Sequence, residues 1–213
     1  LSMMEQYSGD FLAAVDGLRS LLGCRGRVWP ESVQPASISA EYGDGSRTRG
    51  EVEVDAGQAH GRQVRRVWLD PAPAIHPAVD RAIRQFDAVI IGPGSFFTSI
   101  MPPLLVRGVA DALADVRGPV ILIANLLTEG SGMGAFTAAD AVDWVSRAIG
   151  RPVDVVVANA GGPSGEAMGR YSAEHKQPLA LGNLMPGCEP VVGQFWCRDI
   201  ARHDRRRLSF AVW

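Results

Sequence analysis

The chain has 213 residues, 46% of them apolar and 21% charged, with 24 glycines, 14 prolines and a formal net charge of −2. At about 100–200 residues per domain that length suits one large domain or two small ones. The composition excludes the disordered, collagenous and disulfide-stapled classes, and the near-neutral charge argues against a nucleic-acid coat or a polybasic membrane patch.

No apolar run reaches the roughly 18–20 residues that cross a bilayer, and no charged start with a short greasy stretch marks a secretion signal. The expected address is therefore the cytoplasm, without membrane insertion. Cys24, Cys188 and Cys197 are odd in number and lack CxxC or His-paired spacing, which predicts reduced thiols rather than a disulfide framework or a zinc site. Lys176 is the only lysine. The positive charge is thus carried by arginine, whose guanidinium fork suits phosphate or carboxylate. The sequence opens at Leu1 and enters a helical pattern almost at once, so a preceding segment is expected.

In chain order, Phe11, Leu12, Val15, Leu18, Leu21 and Leu22 follow the spacing of an amphipathic helix, with Asp10 or Ser8 as cap and Gly23 as stop. Over residues 26–70 the period shortens to alternating stretches at 37–42, 51–54 and 63–69, punctuated by Gly43-Asp44-Gly45 and by the turn at 57–61. This predicts an antiparallel β insert with one wet face. Asp70-Pro71-Ala72-Pro73 forms the seam between this insert and the rest of the chain.

Beyond the seam, β-branched runs at 88–91, 120–124 and 153–158 have the character of strands buried on both faces of a parallel sheet. Helical stretches over about 77–85, 103–114, 137–149 and 164–175 alternate with them. The expected fold is α/β, a Rossmann-like, doubly wound, mostly parallel sheet in one domain spanning 1–213, with 26–70 as its antiparallel insert.

In an open parallel sheet, ligands sit beyond the carboxyl ends of the strands. After 88–91 comes Gly92-Pro93-Gly94-Ser95-Phe96-Phe97-Thr98-Ser99. Its glycines allow close backbone approach, and Ser95, Thr98 and Ser99 add hydroxyls beside helix-start amides, a combination that suits a phosphate. The same residues also fit a tight strand-to-helix turn capped by Ser or Thr. After 120–124 comes a second loop at 125–134, in which the Asn125 amide serves either the neighbouring loop or a ligand. Thr137 and Asp140 read as the cap and first turn of the next helix. A third rim loop, Asn159-Ala160-Gly161-Gly162, is explained by turn chemistry alone.

The concentrated positive charge is in Arg202-His203-Asp204-Arg205-Arg206-Arg207, either a solvated helix start capped by Asp204 or an arrangement that puts Arg202 over a diphosphate. His60, His76 and His175 fall in turn or helix-end contexts, and no Ser-His-Asp, HExxH or paired-carboxylate arrangement can be assembled. No catalytic residue is assigned. Trp29, Trp68 and Trp196 lie in or near β segments and point to a homodimer, with internal packing as the alternative.

The run Phe86-Asp87-Ala88-Val89-Ile90-Ile91-Gly92-Pro93-Gly94-Ser95-Phe96-Phe97-Thr98-Ser99-Ile100-Met101-Pro102-Pro103-Leu104-Leu105-Val106 resembles the signature of the gluconeogenesis factor (YvcK-like) family, which is related to 2-phospho-L-lactate transferase (CofD-like). Ser8-Gly9-Asp10-Phe11 with Arg25-Gly26-Arg27-Val28, the segment 125–140 and Ile200-Ala201-Arg202-His203-Asp204 extend the resemblance over nearly the whole chain. It implies a regulatory protein that binds a UDP-N-acetylglucosamine-type sugar and supports cell shape and wall metabolism during gluconeogenic growth. The related transferase branch would instead move a phospholactyl group from a guanylylated donor to a deazaflavin, with Mg²⁺ on the phosphates. The resemblance points to Gly92, Pro93, Gly94, Ser95, Thr98, Ser99, Asn125, Thr128 and Arg202 as the ligand contacts.

Three departures from the family pattern stand out. Its upstream Gly-Gly-Gly-Thr-Gly loop is not in this sequence, and its Gly-Glu-Thr-Asp-Gly is replaced by Ser131-Gly132-Met133-Gly134-Ala135. Arg205 also stands where some relatives carry a phosphorylated threonine.

Overall fold

A computed structural model describes residues 3, 6, 9–163, 165–197 and 200–213. The β-branched runs form the predicted parallel sheet: β4 (Val89–Ile91), β5 (Val120–Ile123) and β6 (Val155–Asn159) lie side by side, and β7 (Glu189–Gly193) extends it. Val89 faces Val120, Leu122 faces Val156, and Val157 faces Val191. Side chains alternate across the pleat. Val120, Leu122 and Val156 therefore join the main core on one face, while Ile123 and Val157 join Phe195 in a smaller cluster on the other. Burial on both faces accounts for the continuous apolar character of β5 and β6, whereas β4, at the edge of the sheet, leaves Ile90 54% exposed.

The antiparallel insert is a three-stranded sheet in which β1 (Ser37–Tyr42) is flanked by β2 (Arg47–Arg49) and β3 (Val64–Asp70). Its residues Ile38, Ala40, Tyr42, Val64 and Val67 belong to the same core cluster as Leu122 and Val156. The insert and the parallel sheet are thus sealed by one hydrophobic interior.

Helix α1 (Phe11–Leu21) begins at the predicted cap, where Asp10 Oδ1 accepts from the Leu12 amide at 2.8 Å. Ser8, the other cap considered, and Ser164 lie outside the described residues. Residues 51–54, expected as a strand, instead open helix α2 (Glu51–Ala59). The reason is the spacing of its inward side: Val54, Gly57 and Gln58 are buried at i, i+3 and i+4, while Val52 is 75% exposed. A strand would place both valines on one face, whereas a helix turns them about 200° apart. Glu51 and Glu53 in the first turn also favour the helix electrostatically.

Helix α3 (Pro77–Ile83) follows the seam. The helix expected over 103–114 is two short ones, α4 (Met101–Leu104) and α5 (Val109–Ala114), separated where Gly108 adopts a left-handed conformation. Helix α6 (Ala138–Ile149) carries a capping box in which Thr137 and Asp140 bond each other's backbone amides. After α7 (Gly165–Ser172) the chain adds β7 and then an antiparallel pair, β8 (Trp196–Cys197) with β9 (Ile200–His203), none of which the sequence pattern predicted. Asp204 caps α8 (Arg205–Val212), accepting from the Arg206 and Arg207 amides at 3.0 and 3.1 Å. Among the described residues no helix is long and apolar enough to cross a membrane, and the three cysteines are free thiols.

Candidate functional site

The loop at 92–99 leaves the carboxyl end of β4 and divides into two sides. Phe96 and Phe97 point inward at 4% and 2% exposure, and their rings meet edge to face at 5.0 Å. Phe97 further packs on Trp144 of α6 at 5.1 Å. These aromatics anchor the loop and leave Gly92, Pro93 and Ser99 exposed, with Gly94 and Ser95 half-buried. Gly92 is dictated by geometry, because its φ of +83° is left-handed and a Cβ there would stand 2.8 Å from Ile100 Cδ1 and 3.0 Å from the Ile123 carbonyl oxygen.

Beyond Ser95 the chain makes a π-helical turn (Phe96–Ile100), with the Ser95 carbonyl accepting from both Ser99 and Ile100 amides at 2.8 and 2.9 Å. Such wide turns are frequent at functional sites.

A polar group braces this loop from the carboxyl end of β5. Asn125 Nδ2 donates to the Gly94 carbonyl at 2.9 Å and to Glu129 Oε1 at 2.7 Å. Glu129 accepts from the Phe96 amide at 2.8 and 3.1 Å. Of the two roles open to Asn125 from sequence, the structure displays the hold on the neighbouring loop. Burial pushes the Glu129 carboxyl up to about 7 despite the Phe96 and Asn125 hydrogen bonds, which favour its charged form.

Two of the expected ligand contacts face inward. Thr98 is 9% exposed and donates to Asp55 Oδ1 of α2 at 3.1 Å. Thr128 is 1% exposed, its hydroxyl accepts from the Gln177 amide at 3.1 Å, and its own amide donates to the Gln177 carbonyl. Both hydroxyls are engaged in holding their loops, since a buried hydroxyl without a partner would be costly.

Arg202 lies exposed on β9. Its strand is tied to the rim on both sides: the Ala201 amide donates to Tyr171 Oη at 2.8 Å, and His203 bonds the backbone of Ala124, next to Asn125. Burial lowers the His203 pKa, opposed by that bond. Asn159, in the third rim loop, joins the same tie by accepting from the Phe195 amide at 2.8 Å. Arg202 therefore stands at the strand ends, as the loop does.

Gly92, Gly94 and Ser99 line one end of a cavity of about 540 Å³ that runs along the outer edge of β4. Its other lining includes Trp29, with Arg27 stacked over the indole at 5.4 Å, and Glu31, whose carboxyl burial pushes up to about 7. A concave, mostly apolar site with a few polar groups and a perturbed carboxyl has the character of a ligand pocket. Among the tryptophans considered for self-association, Trp29 is 37% exposed, Trp68 is half-buried between Arg47 and Arg66, and Trp196 packs on Tyr171. No three His, Cys, Asp or Glu side chains come together as a metal site among the described residues, and two carboxylates hydrogen-bond the loop, Asp55 through Thr98 and Glu129 through the Phe96 amide.

Sequence reasoning did not find Glu31, Asp55 or Glu129 as members of the site. Glu129 had one sequence signal, an acid in a glycine-rich loop four residues beyond the strand-end asparagine. Asp55 is 43 residues from Thr98, and no local pattern links them.

Similar proteins share this architecture. The structure of Protein BH3568 from Bacillus halodurans superposes with a TM-score of 0.90 at 27% identity, covering 98% of this chain and 68% of that one. The protein named gluconeogenesis factor from Listeria monocytogenes is 31% identical over all of this chain and 66% of its own length, and that of Bacillus subtilis is 30% identical over 98% and 67%. The chain spans about two thirds of these relatives, and 40% of a Nostoc relative. The loop between β4 and the π-helical turn thus sits in a chain that the profile described as 2-phospho-L-lactate transferase CofD matches over residues 1–195, and the chain belongs to that family.

Proposed function

We propose that this protein binds a nucleotide-diphosphate sugar of the UDP-N-acetylglucosamine type, as a cytoplasmic regulator of cell-wall metabolism and cell shape during gluconeogenic growth. The observation that carries this reading is the 92–99 loop, whose Gly92, Gly94 and Ser99 line the cavity along β4 while Phe96 and Phe97 fix the backbone from within. The rim position of Arg202 supports it electrostatically, because neutral amides and hydroxyls alone leave a diphosphate's charge unmatched. The names of the Listeria and Bacillus relatives support the gluconeogenic context.

The description of the family profile favours a second reading, phospholactyl transfer from a guanylylated donor to a deazaflavin. Calorimetry with UDP-N-acetylglucosamine, GDP and a deazaflavin separates the two. Binding of the first supports the regulator, binding of only the last two supports the transferase, and binding of none refutes both. On the first reading, Arg202→Ala weakens nucleotide-sugar binding at least tenfold, about 1.4 kcal/mol, and leaves the Tm of the free protein unchanged. Unaltered affinity overturns the assignment of Arg202. We further propose a homodimer that uses Trp29, and light scattering that returns a monomer mass refutes it.

A further inference from the structure

Glu129 carries a negative charge to the place where the loop would meet an anion. Its carboxylate spans the Phe96 amide at 2.8 and 3.1 Å and the Asn125 amide at 2.7 Å, and Asn125 in turn holds the Gly94 carbonyl. The residues on either side fix it: Thr128 is locked to the Gln177 backbone, and Ser131 Oγ donates to the Ala59 carbonyl at 3.0 Å. The charged groups facing it are Asp55 on α2, which repels, and Lys176 beyond α7, which attracts. A phosphate arriving at Gly94 or Ser95 would add like charge beside this carboxylate, with little water to screen it.

We propose that Glu129 is a proton-linked latch, its carboxylate holding the Phe96 amide in the free protein and taking up a proton when a nucleotide diphosphate binds the loop. This inference rests on the reading that the loop binds such a ligand. Its consequence is proton uptake on binding. The free carboxyl, pushed up to about 7 by burial, is half ionised near neutrality, and a bound diphosphate raises that value further by like-charge repulsion. Affinity is therefore flat well below neutrality and falls with rising pH above it, approaching tenfold per pH unit when one proton is taken up.

The test is calorimetry of the full chain with UDP-N-acetylglucosamine from pH 6 to pH 8.5, in two buffers of different ionisation enthalpy, on the wild type and on Glu129→Gln. Both phosphates of this diphosphodiester stay ionised throughout, so they contribute no titration. The wild type is expected to bind with uptake of up to one proton and to weaken severalfold from pH 7 to pH 8. Glu129→Gln keeps an oxygen for the Phe96 amide and is expected to bind tightly across the range without proton uptake. Wild-type binding without pH dependence or proton uptake overturns the latch and leaves the binding reading standing, a result that needs no variant to fold. The same pH slope in Glu129→Gln also overturns it. Absence of binding to both proteins at every pH overturns the binding reading, and the latch with it.

Discussion

Removing the Asn125 amide tests the brace behind the loop. Asn125→Ala deletes two hydrogen bonds, one to the neutral Gly94 carbonyl and one to Glu129. A neutral bond contributes about 1 kcal/mol and one to an ionised group about 1.5–3 kcal/mol. With Glu129 ionised, near pH 8, the loss is about 2.5–4 kcal/mol, in the lower half of that range because both residues are half-buried. Near pH 5 the carboxyl, with its pKa near 7, is protonated, so both bonds are neutral and the loss falls to about 2 kcal/mol. Asn125 lowers the Glu129 pKa, which is the same pH-dependent difference seen as a titration shift. Urea unfolding of wild type and variant at both pH values measures the difference. A double-mutant cycle with Glu129→Gln assigns it, with coupling expected near pH 8 and little near pH 5. An equal loss at both pH values would refute the reasoning, as would a loss under about 0.5 kcal/mol, the size of an ordinary surface change.

Glu31 predicts a second pH effect. Its folded pKa of about 7 stands above the ordinary 4.5, so the stability it confers is complete below the unfolded value and lost as pH rises through 7. Glu31→Gln should therefore gain about 3 kcal/mol relative to wild type between pH 4 and pH 8, and parallel stability profiles would count against it. Gly118→Ala places a Cβ on the Asp87 carbonyl oxygen, backbone that cannot step aside. A loss of about 3 kcal/mol or more is expected, read as a fall in Tm of several degrees. Thr128→Val strands the Gln177 amide and should cost about 1–3 kcal/mol in urea unfolding while leaving nucleotide-sugar affinity within twofold. A large affinity loss at unchanged stability would make Thr128 a ligand contact instead.

The parallel core was legible because β5 and β6 are buried on both faces and β4 repeats their β-branched pattern. Dense Val and Ile at 88–91, 120–124 and 153–158 have no competing pattern, and the glycines and hydroxyls after the first run announce a strand-end loop wherever the sheet lies. Local chemistry likewise set the Asp10, Thr137 and Asp204 caps, which are satisfied within three residues of sequence.

Other features depended on distant partners. Glu51-Val52-Glu53-Val54 alternates like a strand, and it became helical because the main core took Val54, with Gly57 and Gln58 on the same helix face, leaving Val52 in solvent. Strand β7 has a proline and only two β-branched residues, and it exists because β6 offers it a parallel ladder. The site's polarity was decided the same way. Asn125 and Glu129 reach the loop across more than 30 residues, and Asp55 reaches Thr98 across 43. Sequence alone placed the loop at the end of a β-branched strand, because strand pattern and caps are written locally. Which hydroxyls face inward, and which carboxylate holds the loop, was settled by the need to pair buried polar groups across the assembled fold.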